Sequence, residues 1–406
     1  MRGGETEAGA LDALILDAAQ RQALVALREL GKANLRVGAV ECQEGAPAFA
    51  SRWCASSAML PDFAEDVEAF LGALAGVCTE RGARVLIPSH DGSIEALRRG
   101  RAELERVVAV ALAPEEALAL AVDKERTLEI ARELGVRVPR GAAVRAAGEA
   151  RGALAEVGLP AVVKPARSWA QRDGKGRGRR LNAVAATTRG AALAAIEGVL
   201  GEGVAAVVQE WLPGSREAVS LLYARGRVWA RFAQRTTRSV PPLGGSSVRR
   251  ESVAAPADIA ASAERLVGEL GLEGYAEVEF RRDAAGGAAL MEVNPRLSAS
   301  VEVAVRAGVP FPRLLYDWAL GEPLEARLGY RSGVRMRWLG GDLAWLKKVL
   351  AAQGQPDSPA RARAVGVFLA DFLRPLSYDY LDLGDPRPAL AAGAGAVRKL
   401  AGRGGA

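Results

Sequence analysis

The sequence predicts an α/β fold that passes into an α+β region. Three observations carry this. Residues 13–113 alternate short apolar runs with stretches of helical spacing. Residues 159–238 and 275–296 hold apolar runs that read as strands and hairpins. Glycines and prolines punctuate the joints between them.

The first stretch is a series of short elements. "ALILDA" (13–18), "LRVGAVE" (35–41), "ARVLIPS" (83–89) and "RVVAVALA" (106–113) are expected as strands. "QRQALVALRELGKA" (20–33) and "DFAEDVEAFLGALAGVCTERG" (62–82) are expected as helices, the second with acids early and Gly82 after it. Strand–helix alternation with short loops predicts a parallel sheet with helices on both faces. No GxGxxG follows the first strand, so dinucleotide binding gains no support.

Beyond it, "PEEALALAVDKERTLEIARELGVRVPRG" (114–141) predicts two short helices closed by Gly135 and Pro139. "LPAVVKPA" (159–166) is a strand flanked by prolines, and 167–181 is a Gly- and Arg-rich loop. "VAAVVQEWLPG" (204–214) is a strand broken at Pro213-Gly214. Residues 216–237 form a hairpin turning at Arg225-Gly226, and 240–252 a long Pro-, Gly- and Ser-rich loop. "SAERLVGELGLEG" (262–274) is a helix, and 275–296 a second hairpin. The low-complexity tail 389–406 is expected to fray.

The chain has 406 residues, half hydrophobic and a quarter charged, which suits two or three domains with real cores. No apolar run reaches the length of about 18 residues that a membrane span needs. The start of the chain lacks a basic segment followed by an apolar one, so a cytoplasmic protein is expected. Cys42, Cys54 and Cys78 are odd in number, lack metal-like spacing, and are expected as buried thiols. The net charge is +6 and the pI about 9.4. Aromatic residues make up only 5 %, without a stacking platform or finger spacing. An anionic small-molecule ligand is therefore favoured over nucleic acid. His90 is the only histidine, so acid–base and charge chemistry must rest on Asp, Glu, Lys and Arg.

The hairpin 275–296 carries the strongest chemical signal. With its turn centred between Ala285 and Gly286, Glu279 faces Glu292 across the strands. Like charges there repel, and a divalent cation is the natural compensator. Asn294 shares the face of Glu292, and Pro295 ends the strand. A one-residue slip would separate the carboxylates, and a solvated polar face is the competing reading. Lys164, inside an apolar strand, needs an anion: a phosphate or a structural carboxylate. Lys124 could be a solvated helix residue. In 167–181, "GKGRG" could present backbone N–H groups, Lys175 and Arg177 to an anion, or simply be solvated. Gln209 and Glu210 end an apolar strand, and the backbone of Trp211 and Leu212, with free polar groups, could meet a planar base.

In this order, "DKERT", "VVKPA", the Gly-rich loop, "VVQEWLPG", "YAEVEFRRD" and "LMEVNPRLSAS" resemble the ATP-grasp superfamily. The resemblance covers roughly residues 114–325, and 13–113 look like the Rossmann-like domain that precedes an ATP-grasp fold. It implies three regions: 1–113 pre-ATP-grasp, 114–330 ATP-grasp with a small lid at about 140–212, and 331–406 as a C-terminal extension. The long 240–252 segment is similar to carboxylate–amine ligases of the D-aspartate ligase and carbamoyl-phosphate-synthase-like type.

The resemblance implies that Lys124 and Lys164 contact the phosphates of ATP, with the loop of Lys175 closing over them. Glu210, Trp211 and Leu212 would hold the adenine and Glu217 the ribose. Glu279, Glu292 and Asn294 would bind one or two magnesium ions, or manganese. Arg296 would meet the transferred phosphate. Arg231, Arg235, Gly245, Ser246 and Arg249 would face the second substrate. The implied activity is joining a carboxylate to an amine or amino acid through an acyl phosphate. Competing expectations are a bicarbonate-activating enzyme and a non-catalytic nucleotide- or nucleic-acid-binding protein. No membrane partner is expected, and a homodimer is one option.

Overall fold

The computed structural model of the chain describes residues 9–170, 177–351 and 359–401. They form two compact units. The first gathers residues 1–112, 310–325 and 380–406; the second gathers 113–309 and 326–379.

The first unit is built on five parallel strands: β1 (Ala13–Ile15), β2 (Val37–Glu41), β3 (Cys54–Met59), β4 (Val85–Ile87) and β5 (Ala109–Val110). Their order is β3-β2-β1-β4-β5. Every residue of β1, β2 and β4 is buried, as expected of parallel strands covered on both faces. Helices α1 (Arg21–Lys32), α2 (Val67–Glu80), α3 (Asp91–Arg99) and α4 (Arg101–Leu104) connect them. Strand β3 carries no apolar signal because it is an edge strand with alternate residues exposed.

In the second unit, α5 (Glu115–Val122) and α6 (Lys124–Glu133) come first. Asp123 caps α6 by accepting the N–H groups of Glu125 and Arg126. A four-stranded antiparallel sheet follows, built from β6 (Gly141–Val144), β7 (Ala161–Pro165), β10 (Val184–Ala186) and β11 (Ala206–Glu210). The two-residue strands β8 (Trp169–Ala170) and β9 (Arg179–Arg180) pair with each other. Helices α7 (Ala150–Val157) and α8 (Arg189–Leu200) cover one face of the small sheet, packing Leu154 and Ile196 against Val163 and Val208. The other face carries Lys164 and Gln209.

The large sheet has seven strands in the order β16-β15-β12-β13-β14-β17-β18. They are β12 (Ser215–Ala224), β13 (Arg227–Val240), β14 (Ser246–Val253), β15 (Gly274–Arg282), β16 (Ala288–Asn294), β17 (Arg335–Arg337) and β18 (Ser377–Tyr378). Helices α9 (Ala257–Glu269), α10 (Glu302–Ala307), α12 (Leu339–Ala351) and α13 (Arg361–Ala370) complete the unit. Helix α11 (Phe311–Ala319) lies in a segment that belongs to the first unit, as does α14 (Arg387–Ala401).

Three features depart from the sequence reading. Residues 246–253, expected in a loop, form β14, and Arg250 and Ser252 on it are buried. A strand that buries polar side chains leaves no hydrophobic alternation to read. The tail does not fray at 389: α14 runs to Ala401. Its alanines favour a helix, and Asp385 just before it is held by Arg28 Nε at 2.9 Å and Ser51 Oγ at 2.6 Å. Residues 331–406, rather than forming one extension, are divided between the two units.

Candidate active site

Antiparallel partners share a face, so register defines what the large sheet presents. Glu279 pairs with Glu292, and Glu277 with Asn294. The same face carries Arg281 further along β15 and, on the next strands, Arg216, Gln234, Thr236, Arg250 and Ser252. Three carboxylates thus lie in adjacent rows beside three guanidinium groups.

The expected opposition of Glu279 and Glu292 is present, but the turn reaches it differently. Near the turn, Arg281 pairs with Ala289 and Phe280 with Leu290. A bulge then leaves Met291 without a partner before Glu279 meets Glu292. The carbonyl of Met291 accepts a hydrogen bond from Lys164 Nζ at 3.0 Å. The small sheet therefore delivers its buried lysine to the point where the large sheet's ladder is interrupted.

Charge on this face is unevenly balanced. Burial pushes the Lys164 ammonium down to about 8, while Glu292 pulls it the other way. Burial pushes the Glu279 carboxyl up to about 7, against the opposing pull of Arg216, whose Nε lies 3.4 Å from it. Burial would raise Glu292 too, but Lys124, Lys164 and Arg216 hold it below the usual range. Lys124 Nζ itself donates to Ser168 Oγ at 2.8 Å. Glu277 is raised by burial and accepts from Gln234 Nε2 at 2.9 Å.

The donor set fits a hard divalent cation. Two directly opposed carboxylates and an amide oxygen suit magnesium, which takes one or two carboxylates and completes its shell with phosphate and water. Among the described residues no group of three or more His, Cys, Asp or Glu side chains is placed to hold a metal by itself. A cation here would depend on oxygen donors from a ligand.

The comparisons bear on the fold. Residues 202–341 match the family described as "ATP-grasp in the biosynthetic pathway with Ter operon". Biotin carboxylase from Campylobacter jejuni superposes with a TM-score of 0.64 at 18 % identity, over 80 % of this chain and 74 % of that one. The chain has the ATP-grasp fold. An L-amino acid ligase from Bacillus licheniformis superposes with a TM-score of 0.59 at 19 % identity, over 77 % of this chain and 74 % of that one. A D-alanine–D-alanine ligase of Ectopseudomonas mendocina (strain ymp) is 28 % identical over 225 residues, 52 % of this chain and 68 % of the relative. The chain spans about two thirds of the length of the curated relatives it matches.

Within the ATP-grasp fold, several expected residues fall elsewhere. Glu217 lies on the opposite face of the large sheet, buried between Arg235 Nη2 at 3.0 Å and Arg282 Nε at 2.8 Å. Both its oxygens are engaged, which does not support a ribose contact. Arg231, Arg235 and Arg249 share that opposite face. Arg231 pairs with Glu264 at 2.6 Å, Arg235 with Glu217, and Arg249 with Asp371 at 3.2 Å. The Glu210 carboxylate accepts from Arg140 N at 2.9 Å and Arg140 Nε at 2.8 Å. The Trp211 N–H, expected free, donates to the Pro160 carbonyl at 3.1 Å, because β7 and the end of β11 continue their contact. Leu212 is nearly buried. Lys175 lies outside the described residues.

Other expected residues do converge. Arg296 is half-buried, and its charge reaches Glu277. The Gly245 carbonyl accepts from Arg216 Nη1, tying the turn before β14 to the guanidinium whose Nε lies 3.4 Å from Glu279. Gly245 has φ +138°, and a Cβ there would lie 2.4 Å from the Val240 carbonyl, so only glycine fits. Ser246 beside it is exposed. Trp211 Nε1 donates to the Leu243 carbonyl at 3.1 Å in the same turn.

Two side chains were not assigned roles from sequence. Gln209, on the Lys164 face of the small sheet, is 1 % exposed, and neither of its side-chain polar atoms has a hydrogen-bond partner. Arg250, on the carboxylate face, is 1 % exposed; its Nη2 donates to Asp379, while Nε and Nη1 have no partner. Unpaired buried donors are costly, and a polar ligand or water at these atoms would remove the cost. Strand parity is the signal that could have found Arg250 in preference to Arg249.

Proposed function

We propose that the chain is an ATP-dependent ligase that joins a small-molecule carboxylate to an amine, with an amino acid as the amine. The observation that carries this is the meeting of Lys124, Lys164 and Arg216 with two directly opposed half-buried carboxylates, Glu279 and Glu292. Phosphoryl transfer is chiefly positioning and charge neutralisation, and this face supplies both without a histidine.

Lys124 and Lys164 hold the phosphates of ATP. Lys164 is fixed by the Met291 carbonyl, and its lowered pKa still leaves it charged at neutral pH. Glu279, Glu292 and Asn294 hold magnesium, which when bound neutralises phosphate charge. Gln209 offers an unsatisfied donor and acceptor to the base, a role that sequence gave to Glu210. Arg296 meets the transferred phosphoryl group. Arg250 orients the substrate carboxylate through its unpaired N–H groups.

The carboxylate oxygen attacks the γ-phosphorus and ADP departs, leaving an acyl phosphate. The amine nitrogen then attacks the acyl carbon, phosphate leaves, and the amine proton passes to solvent. The similarity to D-alanine–D-alanine ligases and to an L-amino acid ligase supports an amino acid substrate.

An ADP-release screen of amino acids against small carboxylic acids tests the reading. ADP and phosphate should appear together and only with both substrates present. AMP and pyrophosphate would overturn it, and bicarbonate-stimulated turnover would redirect it to carboxylation. Glu292→Gln should cut turnover by about 100-fold or more while the circular dichroism spectrum stays native.

A further inference from the structure

Helices α12 and α13 bury one face each in a shared cluster of Trp345, Val349, Ala364 and Phe368 against Val248 of β14. Their other faces are also apolar. On α12, Leu343 and Leu350 are exposed, one heptad apart. On α13, Val365 and Leu369 are exposed at i and i+4, and Leu373, in the turn just after the helix, is 91 % exposed. Each set recurs at helical spacing on the side turned away from the buried cluster.

The charge around these stripes has one sign. Lys347, Lys348, Arg361, Arg363 and Arg374 are all exposed. Lys347 stands on the α12 stripe, four residues after Leu343. The acids of the described residues between 339 and 376 are Asp342 and Asp371, and both are fully buried. They are paired with Arg238, Asp342 also with Arg337 at 2.6 Å, and Asp371 also with Arg249 at 3.2 Å and with Arg374 of the rim at 2.8 Å. The charge this face presents to solvent therefore rests on Lys347, Lys348 and Arg363, with no exposed acid among the described residues of this stretch.

We propose that the α12–α13 face docks on an anionic lipid surface. An apolar stripe of Leu and Val bordered by Lys and Arg is the pattern that lies in the headgroup boundary. A second copy of this chain would bring the two basic rims together, which like charge opposes. A specific protein partner would call for aromatic and hydrogen-bonding anchors, whereas leucine and valine are under-represented among such anchors. No helix among the described residues is long and apolar enough to cross a membrane, so the contact is peripheral. This inference does not rest on the ligase reading, since lipid binding needs no nucleotide.

The test is co-sedimentation of the full chain with extruded vesicles, phosphatidylcholine alone against phosphatidylcholine enriched in phosphatidylglycerol. Binding is expected only to the anionic vesicles, weakening as salt is raised. Leu369→Asp combined with Leu373→Asp should reduce the bound fraction about tenfold or more. Leu343→Asp should act in the same direction, and unchanged thermal unfolding of each variant verifies the fold. Absence of binding to anionic vesicles, equal binding to both vesicle types, or variants that bind like the parent would overturn the proposal. Sedimentation velocity on the same proteins reads the competing occupant. A dimer that Leu369→Asp dissolves would assign the face to a second copy instead.

Discussion

A single step in strand parity separates Arg249 from Arg250, and with it a structural ion pair from a candidate substrate contact. Composition in 231–252 made the arginines visible, but not which way each points. Arg249 faces Asp371, whereas Arg250 lies on the face that carries Glu279, in the neighbouring row of Arg281 and Arg216. Arg250→Met should raise the KM for the carboxylate substrate about tenfold or more and leave the KM for ATP nearly unchanged. Arg249→Met should lower stability and leave both KM values alone. Steady-state kinetics on the two variants decides the assignment. A second residue-scale consequence lies in the first unit. Asp17 accepts from Ser89 N at 2.9 Å and Ser93 Oγ at 2.8 Å, yet burial pushes its carboxyl up to about 7. Folding therefore tightens its proton. The stability this contributes is present below the ordinary carboxylate range and is lost as pH rises through about 7. Between about pH 5 and pH 8 the parent should lose stability relative to Asp17→Asn, on the order of a few kcal/mol at most. Urea unfolding at both pH values measures this, and a constant difference would show that Asp17 is not the titrating group.

At the scale of elements, much of the carboxylate-bearing hairpin 275–296 was legible. Its alternation and turn residues predicted the opposition of Glu279 and Glu292, which the register bears out. The bulge at Met291 was not legible, because it arises from a turn whose centre is shifted and then corrected. It is nonetheless the feature that exposes a carbonyl to Lys164. Strand β14 was hidden for a different reason: its buried face is polar, with Arg250 answered by Asp379 and Ser252 by the Arg331 carbonyl. Both partners are distant in sequence, so local pattern could not report them. Helix α14 depends on a distant partner too. Asp385, 1 % exposed, is held by Arg28, Ser51 and the Arg52 N–H. Asp385→Ala would leave the Arg28 guanidinium buried without its counter-charge, a loss of about 3–5 kcal/mol. Chemical denaturation should show this, and the double variant Arg28→Met/Asp385→Leu should recover part of it. A loss in Asp385→Ala below about 1 kcal/mol would mean the pair is not required.

For the molecule as a whole, the order of motifs was legible because each brings its own chemistry. The division into units was not, because it depends on where segments far apart in sequence pack. The nucleotide reading has a molecular-scale outcome. Saturation with magnesium ADP at about 100 times its Kd should stabilise the binding unit by about 2.7 kcal/mol. Hydrogen exchange should then slow in β7, β11, β15 and β16. Protection confined to the first unit would place the nucleotide elsewhere.

The chain passes from one unit to the other four times, at 112, 309, 325 and 379. On a ribosome this fixes an order of completion. The strands β1 to β5 emerge first, but α11, which packs on α1, follows the second unit's hairpins. Asp385 comes later still, so Arg28 waits 357 residues for its counter-charge. The first unit to begin is the last to be finished. A premature stop anywhere before 385 strips the unit that β1 to β5 began of the partner its Arg28 needs.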